Sequence, residues 1–150
     1  MGLECPFDDR QEMLRPDYEF FHSQGSRPLD IAYHSHDFYE VFLFVSGRAE
    51  YIIEGKTYVL RPGDILLTND RELHRPLVEP GRLYERYVLW IRPEYIRKLQ
   101  EDGTDLAACF VDAARREYKR IRPGGAVCQR HHRAACKGKQ DRGPGPAGQP

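Results

Sequence analysis

His34-Ser35-His36-Asp37-Phe38-Tyr39-Glu40-Val41-Phe42-Leu43-Phe44-Val45-Ser46-Gly47 is the stretch whose reading decides the fold. It is rich in aromatic and β-branched residues, and it ends on a glycine that interrupts the apolar run. Read as part of one strand over 31–44, it places residues of equal parity on the same face. His34, His36, Phe38, Glu40, Phe42 and Phe44 then line one side. Two imidazoles and a carboxylate at i, i+2 and i+6 are the usual ligand types for a divalent first-row metal.

Working outward, the flanking sequence predicts further short strands separated by turn signals. A candidate strand over 18–22 precedes the stretch. After it, strands over 49–53 and 56–60 flank Glu54-Gly55, the signature of a β-hairpin. Arg61-Pro62-Gly63-Asp64 is a second turn, leading to strands over 64–68, 74–79 and 84–91. This spacing predicts an all-β sandwich or barrel. The pattern then switches. Pro93 suits a first helical position, predicting a helix over 93–100, and Thr104 with Asp105 opens a second one to about residue 119. From residue 121 the chain turns to Arg, Gly, Pro, His and Gln without periodicity, and 121–150 reads as a disordered tail. Residues 1–17, punctuated by Pro6 and Pro16, read as an arm.

The zero formal net charge hides a split. Residues 1–114 hold 13 Lys or Arg against 21 Asp or Glu, a net of −8, while residues 115–150 hold 10 against 2, a net of +8. The acidic part argues against nucleic-acid binding by the folded domain itself, and the basic part reads as an appended tail. No apolar run is long enough for a membrane-spanning helix, and the acidic start is not a secretory signal, so the expected location is cytoplasmic. The four cysteines are widely spaced, as suits free thiols. Cys128-x2-His131-His132-x3-Cys136 has zinc-like spacing, but it lies in a stretch without apolar support and reads as accidental. Nucleophilic catalysis finds no Gly-x-Ser-x-Gly context, and there is no phosphate-binding glycine-rich loop.

His34-x-His36-x3-Glu40-x6-Gly47 resembles the first cupin motif, and Gly63-x5-Asn69-x-Arg71-x2-His74-x3-Val78 has the spacing of the second. The second usually reads Gly-x5-Pro-x-Gly-x2-His-x3-Asn, so the chain departs from it at Asn69, Arg71 and Val78, and Pro28 stands where the first motif normally starts with glycine. The resemblance implies a double-stranded β-helix barrel followed by two α-helices, and it adds His74 to the set formed by His34, His36 and Glu40. Within cupins, the runs over 34–47 and 60–69 resemble the sensor domain of AraC-type transcription regulators. That resemblance implies a barrel over 18–92 that binds a small effector such as a sugar or small acid. It also implies helices over 93–120 that make a homodimer, with DNA bound by a C-terminal helix-turn-helix domain.

The tail lacks the apolar period of a helix-turn-helix. Its abrupt change of vocabulary near residue 120 reads as an out-of-frame segment of a truncated regulator. The expected ligand-binding residues are His34, His36, Glu40, His74, Phe42 and Trp90, with Tyr33, Tyr51 and Tyr87 as further stacking candidates and 18–21 as part of a closing arm. His34, His36, Glu40 and His74 also suit a divalent metal such as Zn, Ni, Fe or Mn. The expected role is sensing, not catalysis. The alternatives are a small metal-dependent cupin enzyme (isomerase or dioxygenase) and a stand-alone binding protein.

Overall fold

The computed structural model describes residues 10–100 and 103–123. Eight strands and two short helices follow in chain order: β1 (Tyr18–Gly25), β2 (Tyr39–Ser46), β3 (Ala49–Ile53), β4 (Lys56–Val59), β5 (Ile65–Thr68), β6 (His74–Val78), β7 (Tyr84–Ile91), α1 (Pro93–Lys98), α2 (Ala108–Arg115) and β8 (Arg120–Ile121). They form two antiparallel sheets, one ordered β1-β7-β2-β5-β8 and the other β4-β3-β6.

Alternation builds the core. Glu40, Phe42 and Phe44 of β2 and Tyr84, Arg86, Val88 and Trp90 of β7 point inward and are buried. They meet Tyr51 and Ile53 from the smaller sheet, together with Tyr58, Leu60 and Leu66. The opposite parity of the larger sheet faces the helices, where Tyr39, Leu67 and partly buried Val41 and Ile91 pack on Ile96, Phe110 and Ala113. Tyr39 and Phe110 stack at 4.4 Å. The arm is anchored on the barrel as well: Met13 joins the main core, and the Arg10 guanidinium lies over Phe21 and Trp90.

Turn chemistry matches the sequence. Glu54 and Gly55 both take positive φ (48° and 77°), as a type I′ hairpin requires. In the next turn Pro62 precedes Gly63 at φ 92°, and Asp64 N–H donates to the Arg61 carbonyl, making a type II turn. Gly47 (φ 113°) follows a bulge between Phe44 and Ser46, and a Cβ there would lie 2.7 Å from the Leu83 carbonyl oxygen. Arg71, which replaces the usual motif glycine, adopts φ 65° and donates its N–H to the His36 carbonyl at 2.7 Å. The tight turn before His74 is therefore kept, at the strain a non-glycine residue carries there.

Three expectations need correction. The strand expected over 31–44 is not continuous: β2 begins at Tyr39, and His34 makes only an isolated bridge to His74. The chain is crossing between sheets here. His34 exchanges backbone hydrogen bonds with His74 of β6, whereas Glu40 pairs with Thr68 and Trp90 of the larger sheet. The second helix, expected from Asp105 to about residue 119, spans only Ala108–Arg115. Asp105 instead accepts from the Ala107 N–H and from Gln100, a local bonding pattern that competes with helix. The disordered tail does not begin at residue 121. Ile121 pairs with Ile65, and Arg122 forms a double hydrogen bond with Asp64. The remainder of that tail and the 128–136 Cys/His spacing lie outside the described residues, as do residues 1–9 of the arm.

Candidate functional site in the barrel

The crossing that ends the long strand brings three imidazoles together. His34, His36 and His74 each offer a ring nitrogen, and these atoms lie within 4.8 Å of one another. The His34 and His74 rings meet edge-on at 4.2 Å, and the His36 and His74 rings at 4.8 Å. In each ring Nδ1 lies at hydrogen-bond distance from a backbone carbonyl: Ala32 for His34 (3.0 Å), Phe38 for His36 (2.9 Å) and Glu72 for His74 (2.8 Å). A carbonyl can only accept, so Nδ1 carries a proton in all three. The Nε2 atoms of His36 and His74 are buried without a hydrogen-bond partner among the described residues.

Burial pushes the His74 imidazole down to about 4, against the opposing charge of Glu40. His74 is thus neutral at physiological pH. Glu40 is buried as well. Its Oε1 accepts from the Tyr51 hydroxyl at 2.8 Å and its Oε2 from the Trp90 indole N–H at 2.7 Å. Oε2 also stands 3.6 Å from His36 Nε2. Burial opposes its ionisation, but the His36 and His74 imidazoles and the Tyr51 hydroxyl outweigh that and hold the carboxyl well below the usual carboxylate range.

A cavity of about 310 Å³ opens beside these groups. Of the six expected ligand-binding residues, His34, Glu40, Phe42 and Trp90 line it, while His36 and His74 are buried next to it. The remaining wall combines apolar Phe21, Ile31, Pro76 and Val88 with polar Gln11, His22, Ser23 and Arg86. The other stacking candidates do not behave alike. Tyr51 lines the cavity and holds Glu40. Tyr87 stacks on Phe20 and His22, on the opposite parity of β7 from Trp90. Tyr33 is exposed beneath the Arg75 guanidinium. The 18–21 segment belongs to β1, the edge strand beside β7, and Phe20 and Phe21 reach the cavity from there.

Sequence reasoning missed Arg86, which is 6% exposed, lines the cavity and donates to the Tyr84 hydroxyl at 3.3 Å. The signal was available: Arg86 has the same strand parity as Trp90.

Three anchored imidazoles with two orphaned buried Nε2 atoms fit a divalent transition metal, because backbone carbonyls on Nδ1 are the usual means of orienting histidine ligands. His34, His36 and His74 would hold it. Glu40 stands beside this cluster: its oxygens accept from Tyr51 and Trp90, and Oε2 lies 3.6 Å from His36 Nε2. A bound metal would supply Lewis acidity at the edge of the cavity.

The two facing sheets and the placement of the motif histidines define a cupin-type fold, mostly β with two short helices. The sequence profile of the AraC-like ligand binding domain matches residues 18–140, and the chain belongs to that family. No curated protein matches the sequence significantly. Among solved structures, it is similar to a Cupin 2 conserved barrel domain protein from Salinispora arenicola (21% identity, 57% of this chain and 76% of the other, TM-score 0.46). It is also similar to a predicted oxalate decarboxylase from Thermotoga maritima (19% identity, 49% and 64%, TM-score 0.44). A third is the salicylate 1,2-dioxygenase from Pseudaminobacter salicylatoxidans (16% identity, 51% and 22%, TM-score 0.46). Among the described residues, no helix is long and apolar enough to cross a membrane.

Proposed function

We propose that the chain is the effector-sensing part of an AraC-type transcription regulator acting in the cytoplasm, and that it is not an enzyme. The observation that carries this reading is the cavity in the barrel of an AraC-like ligand binding domain, with apolar side chains and a few fixed polar groups on its wall. The effector is a sugar or a small acid. Its binding shifts the population of arrangements available to the N-terminal arm, which meets the cavity at Gln11 and covers Trp90 with Arg10. It also acts on the helices packed on the outer face of the larger sheet. Those helices form a homodimer, and DNA is read by a helix-turn-helix domain, the tail from about residue 120 being an out-of-frame segment. Translating the downstream DNA in the other frames tests the last point: a helix-turn-helix sequence should appear there, and its absence would remove the truncation from the account.

A second reading has its own observation. The orphaned Nε2 atoms of His36 and His74 favour a metal in the same barrel, as a metal-dependent cupin enzyme would hold. A thermal-shift screen of sugars and small acids, with and without chelator, separates the two. A sensor shows a ligand-dependent rise in melting temperature that survives chelation. An enzyme purifies with stoichiometric metal and loses both turnover and ligand response when the metal is stripped.

A further inference from the structure

On the reading of the barrel as an effector pocket, we infer that Arg92 is the positioning residue that joins the pocket to the N-terminal arm and to α1, so that a change at His36 and Trp90 is felt at both. Arg92 follows β7 directly and precedes Pro93, the first residue of α1. Its backbone already serves two elements. The N–H donates to the Asp17 carbonyl at 3.0 Å, at the end of the arm. The carbonyl accepts from the N–H groups of Tyr95 and Ile96, at 3.0 and 3.2 Å, in the first turn of the helix. The side chain reaches a third element. Nη1 donates to both oxygens of Asp37, at 3.1 and 3.2 Å, in the crossing that carries the histidines, and Nη2 donates to the Met13 carbonyl of the arm at 3.4 Å.

From the guanidinium the connection runs inward through one ring. The Arg92 guanidinium lies over Phe38, 6.0 Å from the ring centroid. Phe38 is buried and stacks on the His36 imidazole at 3.8 Å and 7°, and its centroid stands 4.8 Å from that of Trp90. The Phe38 carbonyl also accepts from His36 Nδ1 at 2.9 Å. Phe38 thus packs on Trp90, which lines the cavity, and on His36 next to it. The strength of the tie decides its role. The Arg92 and Asp37 side chains are 26% and 73% exposed, and an ion pair of that kind adds little to global stability. Arg122, by contrast, pairs with a carboxylate that has no exposure, and locks its strand in place. A tie that is easily broken yet shared by three segments makes them open together while the fold stays intact. Ordering of Phe38 by a filled cavity therefore slows the opening of the arm and of the first turn of α1.

The test uses the whole chain, treated with chelator, and reads each part by NMR. Amide exchange at Leu14 and Arg15, whose N–H groups donate to Glu19, reports the arm, and exchange at Tyr95 and Ile96 reports α1. The ring resonances of His36 report the pocket. Arg92→Gln should speed exchange at both pairs of amides by roughly two- to fivefold, the effect expected for an exposed ion pair. It should also shift His36 while His34 keeps its resonances. Arg92→Lys keeps the charge but not the fork to Met13, so it should restore His36 and α1 more fully than the arm. Where Arg92→Gln fails to fold, Asp37→Asn, at an exposed side chain, takes its place. Faster exchange in only one of the two elements, equal acceleration in β3, or an unmoved His36 overturns the role of Arg92. Glucose and benzoate then serve as probes of the pocket, with binding followed by Trp90 emission. A probe that binds should slow exchange at both pairs of amides in the wild-type protein and not in Arg92→Gln. Binding without that slowing overturns the role of Arg92 and leaves the effector pocket standing. If Arg92→Gln gives the expected pattern while no sugar or small acid binds, the pocket reading falls and the tie stands.

Discussion

Asp64 and His74 have no accessible surface, yet the molecule treats them in opposite ways. Asp64 ends the Arg61–Asp64 turn, where Oδ2 accepts from the Arg61 N–H at 2.9 Å and both oxygens accept from Arg122, at 2.6 and 2.7 Å. Around it β8 closes the larger sheet, Leu67 N–H donates to the Lys119 carbonyl, and Lys119 pairs with Glu72. His74 is just as buried, but its Nε2 has no partner among the described residues, and neither does that of His36 beside it. An unmet buried polar atom costs about 1–3 kcal/mol. A sequence that satisfies Asp64 so thoroughly has left the imidazoles in want of a bond, which is what a site awaiting a ligand requires. Stability is concentrated at the C-terminal closure and binding capacity in the histidine corner.

The largest effect that could break this contrast is at the closure. Asp64→Ala removes three hydrogen bonds to a buried carboxylate and should cost about 2–4 kcal/mol in urea unfolding, with the cavity's ligand response retained in the folded fraction. A loss under about 0.5 kcal/mol would mean that β8 contributes little. Next, adding zinc or nickel to the chelator-treated chain should raise its stability by about 2–3 kcal/mol at a hundred times the dissociation constant. His74→Phe should abolish that gain, whereas a gain that persists in the variant would place the metal elsewhere. Without metal, His74→Phe itself should alter stability by no more than about 1 kcal/mol, because it removes one orphaned atom together with one hydrogen bond. A loss matching that of Asp64→Ala would erase the distinction between the two regions.

The smallest effect concerns pH. Burial opposes ionisation of Asp64, but Arg122 and the Arg61 N–H outweigh it and hold the carboxyl below its ordinary value of 3.8. A carboxyl depressed in the folded state contributes stability that is fully present above its ordinary value and is lost as pH falls through the folded value. The stability difference between wild type and Arg122→Gln, measured in urea, should therefore be constant near neutrality and shrink below about pH 4. A difference that grows on acidification would reverse the sign and remove the ion pair from the explanation.

Much of this architecture was legible in the chain. Strands β3 and β7 fall where alternation and turn residues put them, and the glycine at 55 marks its hairpin because it must take positive φ. Other features were hidden for physical reasons. The 34–44 stretch looks like one strand because period-2 patterning does not report that a chain changes sheets part-way. His36 still reaches Glu40, with Nε2 3.6 Å from Oε2, and His34 joins the histidine cluster through a crossing fixed by the His34–His74 bridge. Strand β8 has only two residues and no pattern of its own, and its place depends on Asp64 and Ile65 some sixty positions earlier. The motif positions alone put Glu40 with the histidines as an equal donor. Its engagement by Tyr51 and Trp90 is a three-strand arrangement that spacing cannot express.

The central claim is that the cavity beside Glu40 and Trp90 receives a small effector in the absence of metal. Trp90 lines that cavity and is the chain's sole tryptophan, so its emission reports occupancy directly. A compound that raises the melting temperature should be titrated against Trp90 fluorescence in chelator. The account predicts a saturable change with the same dissociation constant as the thermal shift. Stabilisation with no change in Trp90 emission, or a change that vanishes on removal of metal, would contradict it.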